Sequence, residues 1–226
     1  MTLATVLRYI DVKEGRPWDF RYYIPHDFKL MADKHGIGLV AVMSDDNIEE
    51  VCRDCDGLII PGSTTDIDPA YYGQPSEDFT QPVDEYALDK RLIDYFLSKN
   101  RPILGICAGL QELNIYFGGS IKKIDNGVPH CSDGLLKHRI TITEGSFVYN
   151  VFNSTSASVN TFHYWHIDRL ADCLSAVAYS DDGIIEAVEC PEKKVFATQW
   201  HPELSYHADD SIENRLFENF INTCGR

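Results

Sequence analysis

Acyl-transfer chemistry by a thiol needs a base within reach of it, and the base needs a partner that orients it. Two short stretches of this chain hold all three residue types. In "PILGICAGLQELNIYFGG", Cys107 stands between Gly105 and Gly109, where an apolar run gives way to an amphipathic one. A residue perched on a tight strand-to-helix turn is a nucleophile elbow, and such a turn brings backbone so close that flanking side chains are disfavoured. The start of the following helix offers free N–H groups and the positive end of a dipole, which favour thiolate over thiol. In "ATQWHPELS", His201 follows an apolar strand, with Glu203 two residues on and Pro202 stiffening the spacing. A carboxylate beside the imidazole would select its tautomer and stabilise the imidazolium. Each stretch alone has a bland reading, a buried cysteine at a glycine-rich turn or a chance His-Pro-Glu. Together they make a candidate triad of Cys107, His201 and Glu203.

Positioning such a triad is the task of the elements around it. "TLATVLRYI", "GLVAVM", "GLIIPG" and "PILGI" read as strands. They alternate with helical stretches "IPHDFKLMADKHG", "DDNIEEVCRDCDG", "EYALDKRLIDYFLSKN" and the segment from Ala108 to Phe117. That alternation predicts an open, mostly parallel sheet with helices on both faces, its strands buried and therefore apolar throughout. The second half is β-rich, with "HRITIT", "SASVNTF", "SAVAYS", "IIEAVEC" and "KVFATQW", and "SIENRLFENFINTC" closes the chain as a helix. In open parallel sheets ligands bind beyond the carboxyl ends of the strands, which is where Cys107 falls. No linker or repeat interrupts the 226 residues, so one α/β domain over 1–226 is expected.

Composition narrows the partners. There are 35 acidic and 20 basic side chains, a net charge of −15, which argues against nucleic-acid or anionic-membrane partners. Arg8 and Asp11 come too early for a signal peptide, and no stretch approaches a membrane span. Seven scattered cysteines suit a reducing cytoplasm better than a disulfide framework. Cys52 and Cys55 form a lone Cys-x-x-Cys late in a predicted helix and are expected to pack. His163 and His166 lack a third ligand pattern, and the Asp66–Asp68 stretch is expected to order its own turn. Neither a P-loop nor a dinucleotide fingerprint is present, so no metal and no cofactor are expected.

"GICAGLQ" and "WHPE" resemble the class I glutamine amidotransferase superfamily, which implies a flavodoxin-like sheet. "DGLIIPGSTTDIDPAYYG", "GICAGLQELNIYFGGSI", "VNTFHYWHIDRL" and "DDGIIEAVE" are more specifically similar to the peptidase C26 group, which includes γ-glutamyl-γ-aminobutyrate hydrolases. The resemblance implies an oxyanion hole from the N–H groups of Gly62 and Ala108, each donor worth about 3 to 4 kcal/mol. It also implies that Gln111 lies by the substrate's glutamyl group, and that the loop Asn160, Thr161, Phe162 and His163 holds that group's backbone atoms. The chain departs from the group in reading His163-Tyr164-Trp165-His166, and the segment between Gly119 and His138 is short. Both departures fall on the leaving-group side. The expected function is hydrolysis of a small γ-glutamyl amide, a homodimer being compatible with it. The alternatives are a glutaminase subunit feeding ammonia to a separate synthetase, and a binding protein without catalysis.

Overall fold

A computed structural model of the chain describes residues 1–11, 20–124, 130, 136–207, 212 and 214–225. The first half consists of β1 (Thr2–Val6), β2 (Arg8–Asp11), β3 (Phe20–Tyr23), α1 (His26–His35), β4 (Gly38–Val42), α2 (Ile48–Val51), β5 (Gly57–Ile60), α3 (Glu85–Ser98), β6 (Ile103–Ile106) and α4 (Ala108–Tyr116). There follow β7 (Ser120–Lys123), β8 (Lys137–Ile142), α5 (Phe147–Phe152), β9 (Ser156–Asn160), β10 (Trp165–Arg169), β11 (Ser175–Ser180), β12 (Ile185–Cys190), β13 (Val195–Thr198) and α6 (Asn214–Cys224).

Nine strands form one sheet in the order β4-β1-β5-β6-β13-β12-β11-β8-β9. The first five are parallel, and the β-rich second half continues the same sheet antiparallel. Successive residues of the parallel strands enter opposite cores, because side chains alternate across a sheet. Ile59, Leu104, Ile106 and Phe196 pack against α1, α5 and α6 through Phe28, Val151, Phe217 and Phe220. Leu58, Ile60, Ile103 and Ala197 pack against α2, α3 and α4 through Ile48, Leu92, Phe96 and Leu113. Two-sided burial is the reason these strands read as unbroken apolar runs.

Three of the expected elements differ in extent. The first strand breaks at Leu7, and Arg8 opens β2, which pairs with β3 as a separate hairpin. There the Arg8 side chain turns inward to the buried carboxylates of Asp89 and Glu112. The second helix stops at Val51, where the Arg101 guanidinium takes the carbonyls of Cys52 and Arg53 at 2.9 and 2.8 Å. Cys52 and Cys55 are free and packed in the core beside Leu58. The last helix starts at Asn214, with Ser211 and Glu213 outside the described residues. The β7–β10 ribbon and α5 had no counterpart in the pattern of the sequence.

Strands β5, β6 and β13 are adjacent, with Ile60 opposite Gly105 and Ile106 opposite Thr198. Whatever follows these strands at their carboxyl ends must therefore meet. Helix α4 lies close against them: a Cβ on Gly109 would stand 2.3 Å from the Ile60 carbonyl oxygen, and one on Gly105 would stand 2.6 Å from the Gly109 oxygen. Both contacts are with backbone, which cannot swing aside. Gly109→Ala should therefore cost at least about 1 to 3 kcal/mol by overpacking. A urea midpoint equal to that of the parent would contradict this packing.

Candidate active site

Cys107 occupies the single residue between β6 and α4. Its φ of 53° and ψ of −105° lie far from the ordinary L-residue regions, a strain of about 1 to 3 kcal/mol that surrounding structure must impose. Its backbone N–H is anchored to the Thr198 carbonyl at 2.8 Å. Its thiol is buried at 6% exposure, 3.8 Å from the Phe162 carbonyl oxygen and 3.6 Å from Gln199 Nε2. Helix α4 begins at Ala108, so its first N–H groups have no intrahelical acceptor.

His201 and Glu203 stand just beyond β13. His201 Nδ1 and Glu203 Oε1 are 2.7 Å apart, with the carboxylate 3% exposed. With Nδ1 engaged, Nε2 is the ring nitrogen left for chemistry. Burial by itself would lower the His201 titration, but the Glu203 carboxylate and Cys107 outweigh it and raise it well above the ordinary histidine value. The imidazolium is thus the favoured form beside Cys107. Gly62, just past β5, completes the convergence: a Cβ there would come within 2.7 Å of His201 Cε1 and 3.4 Å of the Cys107 Cβ. Only a missing side chain allows the three strand ends to close together.

These groups line a cavity of about 340 Å³. Gly62, Ala108, Gln111, Phe162 and His163 are on its wall together with Cys107, His201 and Glu203. Asn160 and Thr161, expected at the substrate, are behind that wall instead. Asn160 grips the backbone of His201, accepting from its N–H at 2.9 Å and donating to its carbonyl at 2.8 Å. Thr161 Oγ1 donates to the His130 carbonyl at 3.1 Å. Both short polar side chains are buried at the end of β9, whereas Phe162, 38% exposed, reaches the mouth. Gln111 is on the wall, yet its Nε2 donates inward to the Trp165 carbonyl and to Gln199 Oε1 at 3.0 and 3.2 Å. At the mouth, Trp165 Nε1 donates to Asp66 at 2.9 Å, whereas Asp68 caps its own turn at the Ala70 N–H.

Three supporting residues have roles that the local sequence pattern does not give. Gln199 is fully buried and joins Gln111 to Cys107. Asn160 is the clamp on His201. Arg8 is fully buried, its Nε and Nη2 donating to the Pro61 carbonyl at 3.2 and 2.7 Å, with Asp89 at 2.5 Å and Glu112 at 3.3 Å. The Pro61 carbonyl and the Gly62 N–H belong to one planar peptide unit and point in opposite directions. By holding that carbonyl, Arg8 fixes the orientation of the Pro61–Gly62 peptide. Glu85 braces the same turn by accepting from the Ser63 hydroxyl at 2.5 Å. The available signal was a lone arginine inside the apolar run "ATVLRYI", and a lone glutamine in "VFATQW".

An α/β sheet with a strained cysteine elbow at its carboxyl edge, and a histidine–carboxylate pair on the adjacent strand end, defines the class I glutamine amidotransferase-like proteins. The family model for peptidase C26 matches residues 13–203. The glutamine amidotransferase-like protein YvdE of Lactococcus lactis, itself only a candidate for that activity, is 32% identical over 200 residues, 83% of this chain and 82% of that protein. The γ-glutamyl-γ-aminobutyrate hydrolase PuuD of Escherichia coli K12 is 28% identical over 191 residues, 78% and 75% of the two chains. The crystal structure of a candidate GMP synthase component from Thermoplasma acidophilum superposes with a TM-score of 0.69 at 23% identity, covering 100% of this chain and 94% of that one, a likeness of fold. The chain belongs to the peptidase C26 family and is a glutamine amidotransferase-like hydrolase. Among the described residues, no helix is long and apolar enough to cross a membrane.

Two outcomes follow from the buried charges. Arg8→Met would leave Asp89, Glu85 and Glu112 without their cation, and should cost about 3 to 5 kcal/mol in denaturant unfolding. Hydrolysis per folded molecule should fall as well, since the Gly62 peptide loses its anchor. Unchanged turnover in the folded fraction would separate Arg8 from the site. The second outcome concerns pH. Because the folded His201 titrates higher than an unfolded histidine, its contribution is complete below about pH 6.5 and is lost as pH rises through the raised folded value. Urea midpoints should decline over that alkaline range. In Glu203→Gln the decline should shrink and move to lower pH, and an identical profile in both proteins would refute the assignment.

Proposed function

We propose that the chain is a cysteine hydrolase that cleaves the γ-glutamyl amide bond of a small γ-glutamyl amine or peptide. The observation that carries this reading is the placement of Cys107, at positive φ, beside a His201 paired to Glu203 at 2.7 Å. In this reading the Cys107 thiolate attacks the γ-carbonyl carbon. The N–H groups of Gly62 and Ala108 receive the developing oxyanion. His201, as imidazolium, gives its proton to the leaving amine as the C–N bond breaks and a thioester remains. Neutral His201 then takes a proton from water, whose oxygen attacks the thioester and releases glutamate and the thiolate. Glu203 holds the ring in register throughout, and Asn160 holds its backbone.

The name of the E. coli relative, a γ-glutamyl-γ-aminobutyrate hydrolase, supports the substrate class. So does the cavity of about 340 Å³, within the range of roughly 300–1,000 Å³ common to small-molecule sites. On the leaving-group side, Phe162 and Tyr164 are 38% and 53% exposed. Such aromatic walls discriminate weakly, about 1 to 3 kcal/mol per methylene, so amines with an apolar or aromatic part should be accepted. Free thiols at Cys52, Cys55, Cys173, Cys190 and Cys224 favour a reducing, cytoplasmic setting. The likeness to YvdE supports a second reading, a glutaminase that supplies ammonia to a separate synthetase chain.

A panel of γ-glutamyl amides, with their α-glutamyl isomers and free glutamine, distinguishes the two. The hydrolase reading requires kcat/KM for γ-glutamyl amines to exceed that for glutamine, with α-linked isomers inert. A strong preference for glutamine over every amine selects the ammonia-supplying reading. Cys107→Ala should lower hydrolysis by about 10⁴-fold or more with the unfolding transition intact, and retained turnover would end the cysteine mechanism.

A further inference from the structure

Behind the cavity wall, a fully buried carboxylate is surrounded by imidazoles. Glu186 on β12 is 0% exposed, and neither of its oxygens has a hydrogen-bond partner among the described residues. From Glu186 Oε1, His138 Nε2 is at 3.4 Å, His163 Nε2 at 3.6 Å and His130 Nδ1 at 3.7 Å. His138 comes from β8, His163 from the segment after β9, and His130 from the stretch of chain that precedes β8.

The outward nitrogens determine what the inward ones can do. His130 Nε2 is 2.9 Å from Asp182 Oδ2, and the acceptor there requires the ring to donate. His163 Nδ1 is 3.0 Å from the Trp165 carbonyl oxygen, which requires the same. In the neutral rings the inward atoms, His130 Nδ1, which also lies 3.4 Å from the Thr161 hydroxyl, and His163 Nε2, then turn lone pairs toward Glu186. They face a carboxylate, which also only accepts. Burying acceptors against one another is costly unless a cation lies between them. Each ring also carries the outer oxygen partner typical of metal-bound histidines.

The spacing has the same meaning. Zinc binds imidazole and carboxylate at about 2.0–2.2 Å, so the edges of its ligand tetrahedron measure about 3.3–3.6 Å. The three separations from Glu186 Oε1 follow that edge closely, and the inward atoms of His130, His163 and Glu186 all lie within 4.8 Å of one another. We propose that His130, His163 and Glu186 form a structural site for a zinc-class divalent cation. A metal pair of His163 with His166 does not form, since His166 lies on β10 opposite Lys122.

The site would tie β8 and β12 to the segment that carries Asn160, the clamp on His201, and Phe162, whose carbonyl touches the Cys107 thiol. Its role is to position that segment, and it stands whether or not the substrate class proposed above is right.

The test uses the full chain, purified without a metal-affinity tag. Apo protein made with a strong chelator is titrated with Zn²⁺ against a chromophoric competitor, and separately with Co²⁺. The expected results are about one equivalent of Zn²⁺ per chain, a tetrahedral cobalt spectrum, and a Tm that falls on chelation and recovers with Zn²⁺. Glu186→Gln should abolish stoichiometric binding. Asp182→Asn, at a position near the surface, should fold and bind about 10- to 100-fold more weakly. Cys52→Ser/Cys55→Ser should retain the full equivalent. Failure of the parent chain to bind either metal stoichiometrically would overturn the proposal and leave the carboxylate neutralised by histidine protons. Parent-like affinity in Glu186→Gln or Asp182→Asn, or loss of binding in the cysteine variant, would overturn it too.

Discussion

The close approach of α4 to the ends of β5 and β6 is the constraint on which the rest of the site depends. With no side chain at Gly105 or Gly109, the helix can start against the Ile60 carbonyl. The turn that joins it to β6 then has room for one residue, and that residue is Cys107, at φ 53°. The strained backbone lifts the thiol beyond the sheet edge and places the free N–H groups of the helix next to it. The same adjacency of β5, β6 and β13 brings Gly62 and His201 to either side without any long-range arrangement beyond strand order.

Around this geometry, among the described residues, charge is buried at Arg8, at His201 with Glu203, and at Glu186. Arg8 is enclosed by Asp89, Glu112 and Glu85 and reaches the carbonyl of the Pro61–Gly62 peptide. Burial pushes Glu112 well above the ordinary carboxylate range, with Arg8 pulling the other way, so the cluster need not hold three full negative charges around one cation. His201 gains a proton through Glu203 and Cys107. Glu186 collects three imidazoles. Low-dielectric surroundings strengthen such pairs and penalise any member left alone, so each cluster acts as a pin for one part of the cavity: the Gly62 turn, the His201 ring, and the Phe162–His163 wall.

The antiparallel half of the sheet explains how these pins are shared. Strands β12, β11, β8 and β9 extend from β13 and curl Asn160 back to His201, 41 residues away in sequence. That curl places aromatic residues at the mouth and short polar ones behind it. A cavity built this way has a floor from parallel strands and a wall from a separate β-rich segment.

Much of this was legible in the chain itself. The alternation of apolar runs with amphipathic ones, the Gly-x-Cys-x-Gly turn and His-Pro-Glu are local patterns, because steric demands at a turn and the burial of a strand act on neighbouring residues. They specified most of the elements, and marked Cys107, His201 and Glu203 as residues that line one cavity. The extents of β1 and α2 were not legible, since Arg8 and Arg101 end them through partners far along the chain. Nor were the roles of Asn160, Gln199, Arg8 and Glu186. Arg8 meets Asp89 and Glu112 across 81 and 104 residues, and no periodicity records such a pairing. Only the tertiary structure could decide it, because a buried polar group takes its meaning from what desolvates and faces it, and that is a property of the packed chain.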